Sequence, residues 1–284
     1  MVDLQKRLKW LDTLQQKHSP LAFAVAIVKK YGEDQGGYQA ALITYYGFLS
    51  LFPLLLVLTT LLRWLPLAGN GFKEQIIDGA TDYFPIIGTE LQHSVHGFSK
   101  TGLPLILGFL VLLYGARGVA DAFRHAANNI WGVPMRERSG FLPALAKSGK
   151  LVLGGGIGFI AAAILASYAG AAGHDFGLRL LFLLCNLVLL FGSFQFIMRT
   201  ALARTVHFRD IWFGAALATV GLFILQNAGG YIITHELKNL NNLYGTFAVV
   251  LGLFFWLYLQ TQLIVYAMVA DTVRSHKLWP RNLF

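Results

Sequence analysis

Along the chain, long apolar runs alternate with shorter stretches that hold most of the charge. A helix rises 1.5 Å per residue, so about 20 apolar residues cross the roughly 30 Å hydrocarbon core of a bilayer. Runs of that kind begin near Tyr38, Leu103, Gly149, Leu178, Asp210 and Gly245. They predict an all-α, polytopic membrane protein with six spans, at 38–65, 103–122, 149–172, 178–200, 210–233 and 245–270. The second run is apolar only from Leu103 to Ala116 before it meets Arg117, although its helical pattern can extend to Trp131.

The segments between the runs predict further helices. Before the first span, Asp3–Gln16 and Pro20–Tyr31 carry short helical patterns, and the second places Leu21, Phe23, Ala24, Ile27 and Val28 ahead of Lys29 and Lys30, as an interfacial helix does. The connection 67–101 mixes Phe72, Ile76, Phe84 and Ile86 with Glu74, Asp78, Asp82 and Glu90, which suits a lid of interfacial helices divided at Pro85 and Gly88. The expected organisation is 1–37 as N-terminal interfacial helices, 38–271 as the six-helix domain and 272–284 as a cytoplasmic tail.

Charge sets the orientation. Lys6, Arg7, Lys9, Lys17, Lys29 and Lys30 precede the first span, and Arg117, Arg124, Arg136, Arg138, Lys147 and Lys150 crowd the second connection. Arg199, Arg204 and Arg209 flank the fourth connection, and Arg274, Lys277 and Arg281 fill the tail, whereas the intervening connections hold only Arg63, Lys73, Lys100, Arg179 and Lys238. Basic residues are retained on the cytoplasmic side, so both ends are expected inside a bacterial-type inner membrane. Composition agrees: 56% of the 284 residues are hydrophobic and 13% charged, and the net charge of +9 belongs to loops rather than to a nucleic-acid surface. The single cysteine, Cys185, excludes an intrachain disulfide framework. The first residues lack the apolar core and cleavage site of a signal peptide.

Several polar residues interrupt the apolar runs. Arg117, Asp121, Arg124 and Asn128 recur at intervals of four, three and four, so they share one helical face at the inner end of the second span. Charges at such depth are candidates for lining a cavity, and the competing reading is a helix leaving the membrane with its arginines reaching for headgroups. In the first span, Pro53 frees the carbonyl of Leu49 and predicts a kink or break, with Thr44, Tyr45, Tyr46 and Ser50 near it. Gln195 and Arg199 in the fourth span, and Trp256 and Gln260 in the sixth, are each four apart and suit an inward face; buried amides also simply join helices. Asp271 ends the sixth span, where it either counters Arg117, Arg124 or Arg199 or is solvated. The glycines at 154, 155, 156 and 158 predict close helix packing in the third span.

Catalytic sets are not legible. His93 and His96 share a helix face without a third ligand, and neither a phosphate loop nor a dinucleotide fingerprint is present, so no enzyme, cofactor or metal is expected.

Three stretches carry a resemblance: Ala40-Ala-Leu-Ile-Thr-Tyr-Tyr-Gly-Phe-Leu-Ser-Leu-Phe-Pro53, Arg117 through Asn128-Asn-Ile-Trp-Gly-Val-Pro-Met-Arg136, and Tyr244-Gly-Thr-Phe-Ala with Trp256-Leu-Tyr. With these the chain resembles, end to end, the YihY/BrkB family of bacterial inner-membrane proteins, once labelled ribonuclease BN. The family often closes its last span with Gly-Ala-Glu, where this chain has Val269-Ala270-Asp271. The resemblance implies six transmembrane helices and a transport role, and supplies no reaction. The leading expectation is a transporter of a lipid or other amphipathic anion, with membrane lipids as partners, no nucleic acid and a cavity lined by spans one, two, four and six. The alternatives are an ion-coupled solute transporter using Asp121 or Asp271, and a structural or envelope-assembly protein. Sequence leaves the substrate and the oligomeric state open.

Overall fold

Backbone N–H and C=O groups find no water in a hydrocarbon core, and a helix pairs them within its own segment. The structure is a computed structural model that describes residues 19–64, 103–171, 176–232 and 246–281, and among those residues it is helical with no strand. In chain order the helices are α1 (Ser19–Glu33), α2 (Gly36–Trp64), α3 (Leu103–Ile130), α4 (Phe141–Lys150), α5 (Gly156–Ala171), α6 (Phe176–Ala201), α7 (Phe208–Ile232) and α8 (Thr246–Ser275). Five described stretches are long and apolar enough to cross a bilayer: Ile106–Ile130, Phe141–Ala166, Phe176–Ala201, Phe208–Gly229 and Val250–Ser275. Their outer faces expose Ile106, Leu110, Leu181, Val188 and Phe255, which lipid, unlike water, accepts without cost.

The expected spans map onto these helices with three adjustments. The second does not stop at 122; α3 runs unbroken to Ile130. The third starts earlier than 149, because α4 begins at Phe141 and joins α5 through a wider π-type turn at Leu151–Gly155. Pro143 falls within the first turn of α4, where a missing N–H disrupts no helical bond, and Lys147 and Lys150 had masked the continuity. The expected break at Pro53 is absent: α2 is helical from Gly36 to Trp64 with Pro53 inside it. The Asp3–Gln16 helix and the 67–101 lid lie outside the described residues.

Hydrophobicity alone does not press one apolar helix against another in lipid, so close packing has to come from shape. Glycines supply it at three helix pairs. On α3, Gly115 and Gly118 lie against Ser50 and Tyr46 of α2. Gly154, Gly155 and Gly158 receive Phe196, Ile197 and Ser193 of α6, as the small-residue pattern predicts. On α7, Gly214, Gly221 and Gly229 recur at intervals of seven and eight and receive Asp271, Leu263 and Trp256 of the antiparallel α8. One continuous apolar core sits at the basic end of the bundle, where Ile130, Trp131 and Val133 meet Met198, Leu202, Ile211, Met268, Val269 and Val273.

Helix α1 packs on α8. Ala22 and Ala26 are buried, Tyr31 stacks on Tyr266 with centroids 4.0 Å apart, and the Tyr31 hydroxyl donates to the Gln262 amide oxygen. Gln262 donates in turn to the Tyr258 hydroxyl. A Cβ at Gly36 would stand 2.4 Å from the Tyr31 ring, so the turn into α2 needs glycine there. Phe23 meets the rings of Phe213 and Trp279, and Arg281 pairs with Glu33, tying the tail to the same clasp.

Two outcomes follow. Gly229→Ala drives a Cβ to 2.1 Å from the buried Trp256 ring, whereas Gly149→Ala meets open space. Denaturant unfolding in detergent should show the first variant losing about 1–3 kcal/mol and the second unchanged or gaining up to about 1 kcal/mol. Burial, and next the neighbouring Tyr266 and Tyr258, push the Tyr31 phenol from 10.0 to about 12. A raised acid binds its proton more tightly when folded, so this contribution is intact below pH 10 and is lost as pH rises through about 12. Melting temperature against alkaline pH should fall less steeply in Tyr31→Phe than in wild type.

Candidate functional site

Helix α3 carries its polar residues along one edge. Asp121 is the centre: its Oδ1 accepts from Ser148 Oγ at 2.6 Å and from Arg124 Nη1 at 3.1 Å, and its Oδ2 faces Arg117 Nε at 3.4 Å. Ser148 is buried on α4, and Arg124 Nη1 also donates to Ser148 Oγ and to the Ala144 carbonyl, each at 3.1 Å. Arg124 is thus drawn into the α3–α4 joint rather than snorkelling outward. Asn128 is 3% exposed and saturated: Nδ2 donates to the carbonyls of Arg124 and Ala201, and Oδ1 accepts from Ala203 N at 2.8 Å. It binds the end of α6 to α3.

Arg117 differs. Its side chain is 47% exposed and lies over the Phe141 ring, 5.3 Å from the centroid. Only Nε faces Asp121, leaving both terminal nitrogens without a hydrogen bond among the described residues. Beside it opens a groove of about 430 Å³ between α2 and α3, lined by Leu42, Tyr46, Tyr114, Arg117, Gly118, Asp121, Ala122 and His125. Gly118 lets the Tyr46 ring pack directly on α3, because a Cβ there would strike that ring. Leu42 and Tyr114 are exposed along the mouth, so the groove opens to the side of the bundle rather than into its core.

The other candidates are dispersed. Tyr45 is exposed, with its ring edge-on to Tyr46 at 5.2 Å. Ser50 packs on Gly115 and donates to the Gly47 carbonyl, not to the carbonyl freed by Pro53. Pro53 is half-buried within continuous helix. Gln195 is buried and Arg199 exposed, so the two do not share one inward face. Gln260 is half-buried on α8, and none of Gln195, Arg199, Gln260 and Asp271 lines the groove. Asp271 is neither solvated nor paired with Arg117, Arg124 or Arg199: it is fully buried and accepts the Gly214 N–H.

Residues 27–282 match the family described as Virulence factor BrkB. The chain belongs to that family. Relatives include UPF0761 membrane proteins from Alcanivorax borkumensis, 25% identical over 86% of this chain and 58% of the relative, and from Prosthecochloris aestuarii, 26% identical over 87% and 59%. The chain therefore spans less than two thirds of the length of those two. The Bacillus subtilis protein named ribonuclease-like YfkH is 24% identical over 86% of this chain and 92% of its own length. No solved structure matches. The names and the apolar helices together make this BrkB-family chain a bacterial membrane protein.

Of the stretches that carry the family resemblance, the two around Pro53 and Arg117 form the walls of the groove. Sequence reading overlooked Ser148 and Leu42; it set Tyr45 and Tyr46 alike near Pro53, and of the two it is Tyr46 that lines the groove. The only signal for Tyr46 was a tyrosine pair whose rotation about α2 the pattern did not set. Ser148 sits in what read as a loop.

Asn128→Leu strips partners from the Ala203 N–H and Ala201 carbonyl. At about 1–3 kcal/mol per unpaired group, the variant should lose roughly 2–6 kcal/mol in detergent unfolding. Arg204→Gln, which removes an exposed ion pair with Glu137, should lose less than about 1 kcal/mol.

Proposed function

We propose that this BrkB-family protein is a non-enzymatic inner-membrane transporter of a lipid or other amphipathic anion, with six spans and both ends in the cytoplasm. The observation that supports it best is the juxtaposition of Arg117 with an apolar, tyrosine-lined groove that opens sideways. A guanidinium with two uncommitted nitrogens suits a phosphate or carboxylate headgroup, because its planar fork offers paired donors to two oxygens. Leu42, Tyr46 and Tyr114 would carry the first part of an acyl chain, and about 430 Å³ holds a headgroup and that part rather than a whole lipid. The substrate thus keeps its tail in the bilayer while its head is held. Asp121 and Arg124 fix the helix edge that presents Arg117.

In this reading α2 is the sixth span, and the basic residues around α3, α4 and the tail support a cytoplasmic position for those ends. Among the described residues no group of three or more His, Cys, Asp or Glu is placed to hold a metal. A structural or assembly role is the second reading, and Arg124 and Asn128 favour it because both are committed to helix joints.

Reconstitution decides between them. In proteoliposomes, the wild-type chain should move a labelled anionic phospholipid between leaflets, and Arg117→Gln should slow it at least tenfold while leaving the melting temperature unchanged. Arg204→Gln should match wild type. Equal rates in wild type, Arg117→Gln and protein-free vesicles would sink the transport reading and leave the structural one.

A further inference from the structure

Asp271 takes no part in the groove. It lies four residues from the end of α8, fully buried, with Val265, Ala267, Met268, Val269, Ala270 and Val273 buried around it. Its Oδ1 accepts the Gly214 N–H at 2.5 Å, and its Oδ2 has no hydrogen-bond partner. Asp271 makes no ion pair among the described residues. The charged groups in electrostatic reach are Arg274 on α8 and Asp210 on α7, with none contributed by α1, α2 or α3. Arg274 is turned away onto the rings of Trp212 and Phe213, at 4.5 and 5.6 Å. Asp210 Oδ2 accepts the His207 N–H.

An isolated carboxylate in such surroundings carries a desolvation cost of several kcal/mol that one N–H does not offset. A Cβ on Gly214 would stand 2.2 Å from Oδ2 and 2.4 Å from the Ala267 carbonyl oxygen, so the α7 backbone lies directly against the carboxyl. A proton fits within that contact. Bound to Oδ2, it removes the charge and turns an oxygen without a partner into a donor, and the Ala267 carbonyl lies on the same side of Gly214 to receive it.

Gly214 also makes the site conditional on the helix pair. Asp271 is held by a backbone N–H of α7, and α7 approaches this closely only because residue 214 has no side chain. When α7 and α8 part, the carboxyl gains access to water; when they close, it is enclosed again. Proton occupancy and closure are then linked, each favouring the other. We propose that Asp271 is a proton-binding site whose loading is coupled to closing of the α7–α8 interface. This stands apart from the Arg117 groove, and it holds or fails whether or not that groove moves lipid.

The full chain in lipid nanodiscs provides the test, read by infrared difference spectroscopy of the carboxylic-acid C=O stretch and by the melting temperature across pH. Wild type should show a protonated-acid band that shifts in heavy water and fades reversibly as pH rises, together with a melting temperature that falls over the same pH interval. Asp271→Asn should remove the band and at least halve the pH dependence. Gly214→Ala, which wedges the interface, should move the midpoint of the band by a factor of ten or more in proton concentration, a second handle if Asp271→Asn does not fold. Asp210→Asn should keep the band. A spectrum with no band sensitive to Asp271→Asn would overturn the proposal. So would a band that neither exchanges nor titrates while the fold holds, since it would mark a fixed structural acid. Stabilisation by sodium chloride over choline chloride that disappears in Asp271→Asn would overturn it in favour of a metal ion.

Discussion

Helices in lipid gain nothing from hiding apolar side chains from a solvent that is itself apolar, so they stay together only where their backbones come close or where polar groups join them. Each recurring feature of this fold answers that constraint. Glycines at 115 and 118, at 154, 155 and 158, and at 214, 221 and 229 let three pairs of helices approach, and a side chain of the partner fills each gap. Where approach ends, polar clasps begin. Asn128 joins α3 to the end of α6, Asp121 joins α3 to α4, and the Tyr31–Gln262 bond joins α1 to α8.

The clasps concentrate at the basic end, together with the largest apolar core among the described residues. Charged and amide side chains there have an aqueous boundary nearby, so their desolvation costs less than at the membrane centre and their bonds are easier to complete. Arg117 stands out against that background. Arg124, two positions along the same edge, is engaged by three partners, whereas Arg117 keeps its terminal nitrogens beside an open groove. Asp271 is the converse case, a charge-bearing side chain with one partner and no access.

These two residues separate the molecule into halves with different chemistry. The α2–α3 pair presents a headgroup-sized groove to the side, while the α7–α8 pair encloses a carboxyl between backbones. The same device, a glycine opposite a bulky or polar partner, builds both: Gly118 lets the Tyr46 ring lie on α3, and Gly214 lets Asp271 reach the α7 backbone. Small residues here set where function can reside as well as how tightly helices meet.

Length and hydrophobicity were enough to foresee the long helices, because a run of some 20 apolar residues has few other stable states. The spacing of Arg117, Asp121, Arg124 and Asn128 likewise placed them on one edge, since helical periodicity is a local property. What each residue does on that edge was not legible. Arg124 and Asn128 find their partners 20 to 75 residues away, on α4 and beyond the end of α6, and no local pattern records such distances. For the same reason Pro53 read as a kink or break, and α2 continues through it unbroken, and Asp271 read as an end residue although it is buried. Sequence alone determined the solvent, the helices and the polar edge; tertiary packing alone decided which of those polar groups are consumed by joints and which remain available, because that depends on which helix arrives opposite each one.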